Sequence, residues 1–278
     1  MQVYMYLRTY RKDGWGFKIG VITIWLLDLL HTGMVSASNW VYLIENFGND
    51  ISDNIVWTIA VTIALTALII FSVHCFFAFR IYTLSRGNHY YTGLIATLAV
   101  TRVGLSLVCT VKMIKLGSYL KFAHQWGYVF TTSLSFAVTV DILIAGGLLW
   151  YLNRSRTGFS DMDTILDSIK MYAIENGLFT SATTIVSLIC WLTMPTNLIF
   201  LGLHFAISKL YANALMATLN ARISLQLERS KAQAYSGGNV EYPMPVVFPT
   251  AEGRQKVGQH CTVCLALYLT RRDEDTEY

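Results

Sequence analysis

Charged residues are scarce in this chain, and their scarcity excludes most soluble folds. Asp, Glu, Lys and Arg make up 14% of the 278 residues, while 54% of the residues are hydrophobic and the mean hydropathy is +0.45. Soluble domains carry roughly 25% charged residues. A soluble core of this size could not hide so much apolar surface, so the composition predicts an integral membrane protein.

The motifs of soluble enzymes and of nucleic-acid-binding proteins are missing as well. The sequence has no glycine-rich phosphate loop, no Ser/His/Asp signature and no basic patch for nucleic acid. The N-terminus is aromatic and then basic, without a small-residue cleavage site, so no secretory signal peptide is expected. These absences favour a non-enzymatic membrane protein that binds no nucleic acid and needs no cofactor.

Cysteine is too sparse, and too often inside apolar stretches, for a disulfide framework. Cys75, Cys109 and Cys190 lie inside apolar stretches, and the other two lie in the polar C-terminal region. That remaining pair, Cys261 and Cys264, forms a lone CxxC, which is a weak metal signal without a second pair. Palmitoylation or no role is the preferred interpretation of the pair.

Six stretches are long and apolar enough to cross a bilayer as helices. About 20 helical residues span roughly 30 Å of hydrocarbon, and a lipid-exposed backbone must satisfy its own hydrogen bonds. The predicted fold is all-α: a transmembrane bundle at residues 18–222, a cytoplasmic stub at 1–17, and a polar, disordered cytoplasmic tail at 223–278. The six predicted spans are residues 18–44, 55–79, 91–114, 126–152, 165–194 and 197–220.

The distribution of basic residues predicts the orientation of these spans. Eleven Lys and Arg residues flank the spans on one side and three flank them on the other, and the richer side is normally cytoplasmic. Both ends of the chain are therefore predicted to be cytoplasmic, with a tight turn at Pro195 outside and the plasma membrane as the expected location. The sequon that begins at Asn153 then faces the cytoplasm and is predicted to be unmodified.

Polar and charged side chains collect near the predicted midplane of the membrane. At a rise of 1.5 Å per residue, all the cluster residues named below except Glu175 and His74 fall within about 7 Å of that plane. A charge at this depth costs at least about 2.5 kcal/mol, so such residues usually pair inside the bundle. The candidate intramembrane polar cluster consists of Asp28, His31, Arg102, Asp141, Glu175, His204 and Lys209, with His74 beside it.

Structural and functional interpretations of this cluster remain open. Asp28 and His31 are three residues apart and share one helix face, so they form either a polar clasp between helices or a proton relay, ligand anchor or metal half-site. Arg102 and Asp141 either bind a substrate or neutralise each other. The most useful distinction is spatial: convergence on one cavity favours a site, and pairwise closure favours a clasp.

Two further expectations concern zinc and the lipid headgroups. His31, Asp141 and His204 offer a set of ligands that Zn²⁺ accepts, although no local spacing of ligands supports such a site. Arg80, at the cytoplasmic end of the second span, is expected to snorkel to lipid phosphates.

Several strings in the sequence resemble one known family. They are WLLDLLH at residues 25–31, YLIENFG at 42–48, FFAFRIYTLS at 76–85 and, most specifically, KLYANALMATLNAR at 209–222. Together they resemble a large multi-pass membrane family of mushroom-forming fungi, over about residues 1–225. That family is known only as a domain of unknown function, so the resemblance implies a seven-span architecture and no assigned chemistry.

The resemblance also implies two departures from the family pattern. This chain starts where the first helix of the family would end, so that helix is expected to be missing. Residues 213–217 read NALMA where the family usually reads NSLLA. The family's seven spans would place the C-terminus in the cytoplasm, in agreement with the distribution of basic residues.

Three functions are compatible with these observations. The leading hypothesis is a receptor-like or sensory membrane protein that binds a small molecule and engages a cytoplasmic partner through its tail. The second is a small-solute or proton-coupled transporter, because the same polar residues lie at mid-depth. The third is a metal-dependent membrane hydrolase that acts on lipid.

Overall fold

The computed structural model describes residues 2–9, 15–49, 51–85, 87–154, 160–194 and 197–235, and these residues form seven α-helices. Side chains are described throughout these ranges except at 9, 160–170, 172–176 and 221–235. A short π-helical turn, Val41–Glu45, extends the second helix. The helices are α1 Gln2–Thr9, α2 Trp15–Trp40, α3 Trp57–Leu84, α4 His89–Leu116, α5 Tyr119–Arg154, α6 Ser160–Thr193 and α7 Ile199–Tyr235.

The prediction of an all-α, polytopic transmembrane bundle is confirmed. Among the described residues five helical segments are long and apolar enough to cross a membrane, and α6 adds a shorter apolar segment, Gly177–Thr193. At about 1.5 Å per residue the 28 residues of α3 extend over roughly 42 Å. The five segments are Trp15–Glu45, Trp57–Leu84, His89–Leu116, Tyr119–Arg154 and Ile199–Asn220.

Consecutive helices pack against each other, and α7 closes the bundle against α3. The helix α3 is central because it touches α2, α4, α5 and α7. We name the two ends of the bundle after a residue at each: the Trp191 end, where α3 begins and α4 ends, and the Arg80 end, where α3 ends and α4 begins. Aromatic packing seals the Trp191 end, where Phe130 and Phe200 lie 4.9 Å and 4.8 Å from the Trp191 ring.

Hydrogen bonds and one glycine explain where α4 begins and ends and where α5 begins. The helix α4 starts after Asn88, whose side chain accepts a hydrogen bond from the Tyr91 amide, and stops at Gly117 in the left-handed region (φ 62°). Asp53 fixes the start of α5, since its carboxylate accepts hydrogen bonds from the Ser118 hydroxyl at 2.7 Å and the Leu120 amide at 2.8 Å. For this reason α5 begins at Tyr119, earlier than the predicted residue 126.

The bonds at the start of α5 also affect the titration of Asp53. The hydrogen bond from Ser118, joined by that from the Leu120 amide, holds the pKa of the Asp53 carboxyl below its usual value. Asp53 therefore stabilises the folded loop in its charged form.

One expectation about the end of α3 is wrong. Arg80 does not snorkel, because its side chain is only 3% exposed. The helix α3 touches α2, α4, α5 and α7, and the Arg80 side chain lies inside the bundle and not at the lipid surface.

Parts of several predictions fall outside the described residues or side chains. These are Pro195, the last residue of the Asn153 sequon, the side chain of Glu175, and the tail from residue 236 onward with Cys261 and Cys264. The helix α7 continues to Tyr235, past the predicted end of the bundle at residue 222.

Candidate functional site

The structure divides the predicted polar cluster into separate groups. Asp28 and Lys209 form an ion pair between α2 and α7, and His31 makes its own contacts one turn farther along α2. Asp141 lies in a different group, on α5, beside His74 of α3. The predicted residues therefore do not converge on one cavity: Asp28 and Lys209 pair with each other, whereas Asp141 and His74 line a small cavity.

The ion pair between Asp28 and Lys209 is tight. The Lys209 Nζ donates to Asp28 Oδ1 at 2.5 Å, to the Asp28 carbonyl at 3.0 Å and to the Thr32 hydroxyl at 2.6 Å. These three acceptors use all three protons of the ammonium group. The pair is nevertheless half-buried, with Lys209 39% and Asp28 30% exposed.

His31 forms a fully buried clasp among three helices. Its Nε2 lies 3.1 Å from the Thr66 hydroxyl of α3, and its Nδ1 lies 3.3 Å from the Ser208 hydroxyl of α7. Both ring nitrogens therefore have a partner, as a buried imidazole requires. This geometry matches the polar clasp that was one interpretation of the Asp28–His31 pair.

Asp141 contacts polar side chains of three other helices in the bundle interior. The His74 Nε2 lies 3.1 Å from its Oδ1, while the Tyr211 hydroxyl donates to its Oδ2 and the Ser181 hydroxyl does so at 3.4 Å. These donors come from α3, α7 and α6, so one carboxylate joins four helices. His74, Asp141, Tyr211 and Ser181 are called the Asp141 cluster below.

Arg102 supplies the positive charge nearest to this cluster. Its guanidinium, on α4, interacts electrostatically with Asp141 and Tyr211 and is only 3% exposed. No ion pair within 4.0 Å joins Arg102 to Asp141 among the described side chains, and the Arg102 Nε has no hydrogen-bond partner there. The two opposite charges interact at a distance beyond 4.0 Å, which lowers the cost of holding either one inside a membrane.

His204 lies beyond Arg102 toward the Trp191 end. The side chain is 3% exposed, its ring centroid is 6.0 Å from that of Phe130, and neither ring nitrogen has a hydrogen-bond partner among the described residues. An imidazole without partners in a buried, aromatic setting is a place where an internal water is expected.

A small cavity adjoins the Asp141 cluster. It has a volume of about 30 Å³ and is lined by polar groups of His74, Asp141, Thr180 and Tyr211 together with apolar side chains. A cavity of this volume holds one or two water molecules, whereas pockets for drug-sized ligands measure roughly 300–1,000 Å³. His74 Nδ1, which has no partner among the described residues, is the natural acceptor for such a water.

The zinc hypothesis finds no matching geometry in the described part of the chain. No group of three or more His, Cys, Asp or Glu side chains is placed there to hold a metal ion. His31 is occupied by Thr66 and Ser208, and Asp141 by its own cluster. His31, Asp141 and His204 therefore do not form a common ligand set.

Sequence reasoning missed two residues of the site, Tyr211 and Ser181. A signal for Tyr211 was present, because it follows His204 and Ser208 by seven and three residues and so shares their helix face. Ser181 carries no such signal, since it is a common small residue in an apolar helix. The predicted Glu175 lies on α6, but its side chain is not among those described.

Comparison with known proteins points to the same half of the bundle. Residues 137–224 match the model of a family described as a family of unknown function (DUF6534), and no match is found among curated proteins or among solved structures. The matched segment contains three members of the Asp141 cluster, namely Asp141, Ser181 and Tyr211. The chain thus carries a DUF6534 domain of unknown function on a helical bundle of the kind found in integral membrane proteins.

Proposed function

We propose that this chain is a receptor-like or sensory membrane protein, not an enzyme, in which the Asp141 cluster holds the helices in one of two arrangements. The single observation that carries the proposal is the carboxylate of Asp141, which accepts hydrogen bonds from side chains on three other helices. A polar junction of this kind has discrete alternatives, because each hydrogen bond is either made or replaced by water.

The size of the cavity limits where a ligand would act. A volume of about 30 Å³ suits water and is too small for a drug-sized ligand. A small-molecule ligand would therefore bind elsewhere on the bundle and change the packing of α3, α6 or α7. The cluster would convert that change into a movement at the Arg80 end, where the proposal places the cytoplasmic side, the C-terminal tail and the tail's protein partner.

The location at the plasma membrane belongs to the same proposal. The proposed orientation, with the Arg80 end in the cytoplasm, is supported by the excess of Lys and Arg in the segments at that end, which the positive-inside rule assigns to the cytoplasm. Protease protection of a C-terminal tag in sealed cells, with accessibility after permeabilisation, checks this orientation.

The proposal is tested by measuring whether the Asp141 cluster controls helix positions. Spin labels are placed at Tyr90→Cys on α4 and Asn213→Cys on α7, both exposed, in a chain without its native cysteines and reconstituted in nanodiscs. We expect Asp141→Asn to add a second distance population, and the exposed control Thr139→Ala on the same helix to leave the distribution unchanged. An unchanged distribution in Asp141→Asn would contradict the proposal.

A proton-coupled transporter is the second candidate, because titratable side chains of His74, Asp141 and Tyr211 touch one another near mid-depth. Proteoliposomes with an entrapped pH dye separate the two functions. A receptor-like protein leaves an imposed pH gradient intact. Dissipation of the gradient by the natural protein, and its loss in Asp141→Asn, would replace the first proposal with the second.

A further inference from the structure

Two buried side chains of the bundle interior carry polar atoms without a partner. They are Arg102 of α4 and His204 of α7, each only 3% exposed. The Arg102 Nε and both ring nitrogens of His204 have no hydrogen-bond partner among the described residues. Most buried polar groups of folded proteins bond either to protein or to ordered water. These three nitrogen atoms therefore need a partner that the described side chains do not supply.

Arg102 and His204 reach into the same region of the interior. His204 packs beside Phe130 of α5, with 6.0 Å between the ring centroids. Ser133 lies one turn farther along α5, and its hydroxyl oxygen is 2.9 Å from that of Ser106 on α4. Ser106 is four residues from Arg102, so the two share a face of α4. Arg102 also interacts electrostatically with His204, as neighbouring groups do.

The packing leaves room for a water-sized molecule beside these side chains. The helix α4 packs mainly against α3 and α5, and α7 mainly against α6 and α3, so side chains have to bridge the space between α4 and α7. Arg102, Ser106 and His204 keep 3–4% of their surface exposed, whereas His31 and Ser208 in the neighbouring clasp keep none. Exposed surface is surface that a water molecule can touch. The unpartnered group therefore admits water, and the partnered group does not.

Water is the occupant that the charges and the donor set favour. A neutral imidazole has one donor and one acceptor nitrogen, and a guanidinium has donors only. One water can accept from the Arg102 Nε–H and donate to the acceptor nitrogen of His204, which gives it the polar partners that a buried water needs. Arg102 already has an opposite charge nearby in Asp141. A small anion such as chloride would add a second negative charge beside Asp141, at a depth where an excess charge is costly.

We propose that Arg102 and His204 bind a buried water molecule between them, which joins α4 to α7 through the bundle interior. The site is separate from the cavity beside Asp141, because neither Arg102 nor His204 lines that cavity. This inference does not depend on the proposed function. It concerns the hydration of two side chains, whereas the proposed function concerns helix positions set by the Asp141 cluster.

Water-edited solid-state NMR of the full chain in phosphatidylcholine vesicles tests the proposal, with His31 as the matched control. Polarisation passes from water protons to ¹⁵N in the histidine rings, and the signals are assigned by their loss in His204→Phe and His31→Phe. Both rings are buried, but only His31 has side-chain partners on both nitrogens. We expect the His204 signal to grow at least about three-fold faster than the His31 signal, because only His204 contacts water.

A second comparison tests the part of Arg102. Arg102→Met keeps a long side chain without the donor and should slow the growth of the His204 signal toward that of His31, whereas Thr101→Met, at an exposed position of α4, should leave it unchanged. Equal growth of the His204 and His31 signals in the natural chain would overturn the proposal, and this comparison needs no folded Arg102 variant. A His204 chemical shift that changes when gluconate replaces chloride would show an anion at the site and would also reject the proposal.

Discussion

Removing the Tyr211 hydroxyl tests the Asp141 cluster with the smallest change in shape. Tyr211→Phe keeps the buried ring in its edge contact with His74, at 5.7 Å between centroids, and deletes only the donor to Asp141 Oδ2. Hydrogen bonds to charged groups contribute roughly 1.5–3 kcal/mol in soluble proteins, but interhelical bonds in membranes average about 0.6 kcal/mol, with a maximum near 1.7. Because His74 and Ser181 still donate to Asp141, we expect a loss of about 1 kcal/mol.

The measurement is the free energy of unfolding of the full chain in bicelles, with Tyr128→Phe as the control. Tyr128 is 68% exposed, so its hydroxyl contributes little to the bundle interior. A double-mutant cycle of Tyr211→Phe with Asp141→Asn should give a coupling free energy of at least about 0.5 kcal/mol, since contacting residues are not additive. Equal stability of Tyr211→Phe and Tyr128→Phe, together with zero coupling, would refute the reasoning.

Three further predictions concern other parts of the bundle. Gly147→Ala should lower the free energy of unfolding by about 1–3 kcal/mol, because its new Cβ would lie 2.6 Å from a tyrosine ring of α4 and overpack the contact. Gly146→Ala has open space at its Cβ position and should raise this free energy by up to about 1 kcal/mol, because Ala has a higher helix propensity than Gly. Chemical unfolding measures both changes. The pKa of Asp53 is lower in the folded state, so the stability that its carboxylate contributes is present above its unfolded pKa and is lost as the pH falls through its folded pKa. The difference in melting temperature between the natural chain and Asp53→Asn should therefore shrink from pH 7 to pH 3. A constant difference would contradict this prediction. Replacing Lys209 alone by Leu should lower the yield of folded protein more than replacing both Asp28 and Lys209 by Leu. The reason is that the single change leaves an unpaired carboxylate at mid-depth. The opposite order of yields would argue against the ion pair.

The helices could be predicted from the sequence, whereas the partners of the polar residues could not. Long apolar stretches determine spans because the bilayer requires about 20 helical residues, and five of the six predicted spans correspond to segments of sufficient length and apolarity among the described residues. The start of α5 was missed because it depends on Asp53, which is far from it in sequence and reaches it only in the folded loop.

Partner choice in the site depends on helix rotation and order, which hydropathy does not report. Asp28 was identified as a mid-depth residue, but only the contact between α2 and α7 shows that Lys209 is its partner. Arg102 and Asp141 were paired on depth alone, and the structure separates them beyond ion-pair distance while His74 and Tyr211 take the contacts to Asp141. Arg80 was expected at the lipid surface because its depth was known and the enclosure of α3 was not.

The most direct test of the account is the distance between His74 and Asp141 in a lipid bilayer. Solid-state NMR on the full chain, with ¹⁵N in the histidine rings and ¹³C in the aspartate carboxyls, detects dipolar coupling across the bond that the structure gives as 3.1 Å between Nε2 and Oδ1. We expect a histidine–aspartate coupling that disappears in His74→Phe and persists in His204→Phe. Absence of the coupling in the natural chain, or its persistence in His74→Phe, would contradict a bundle joined through Asp141.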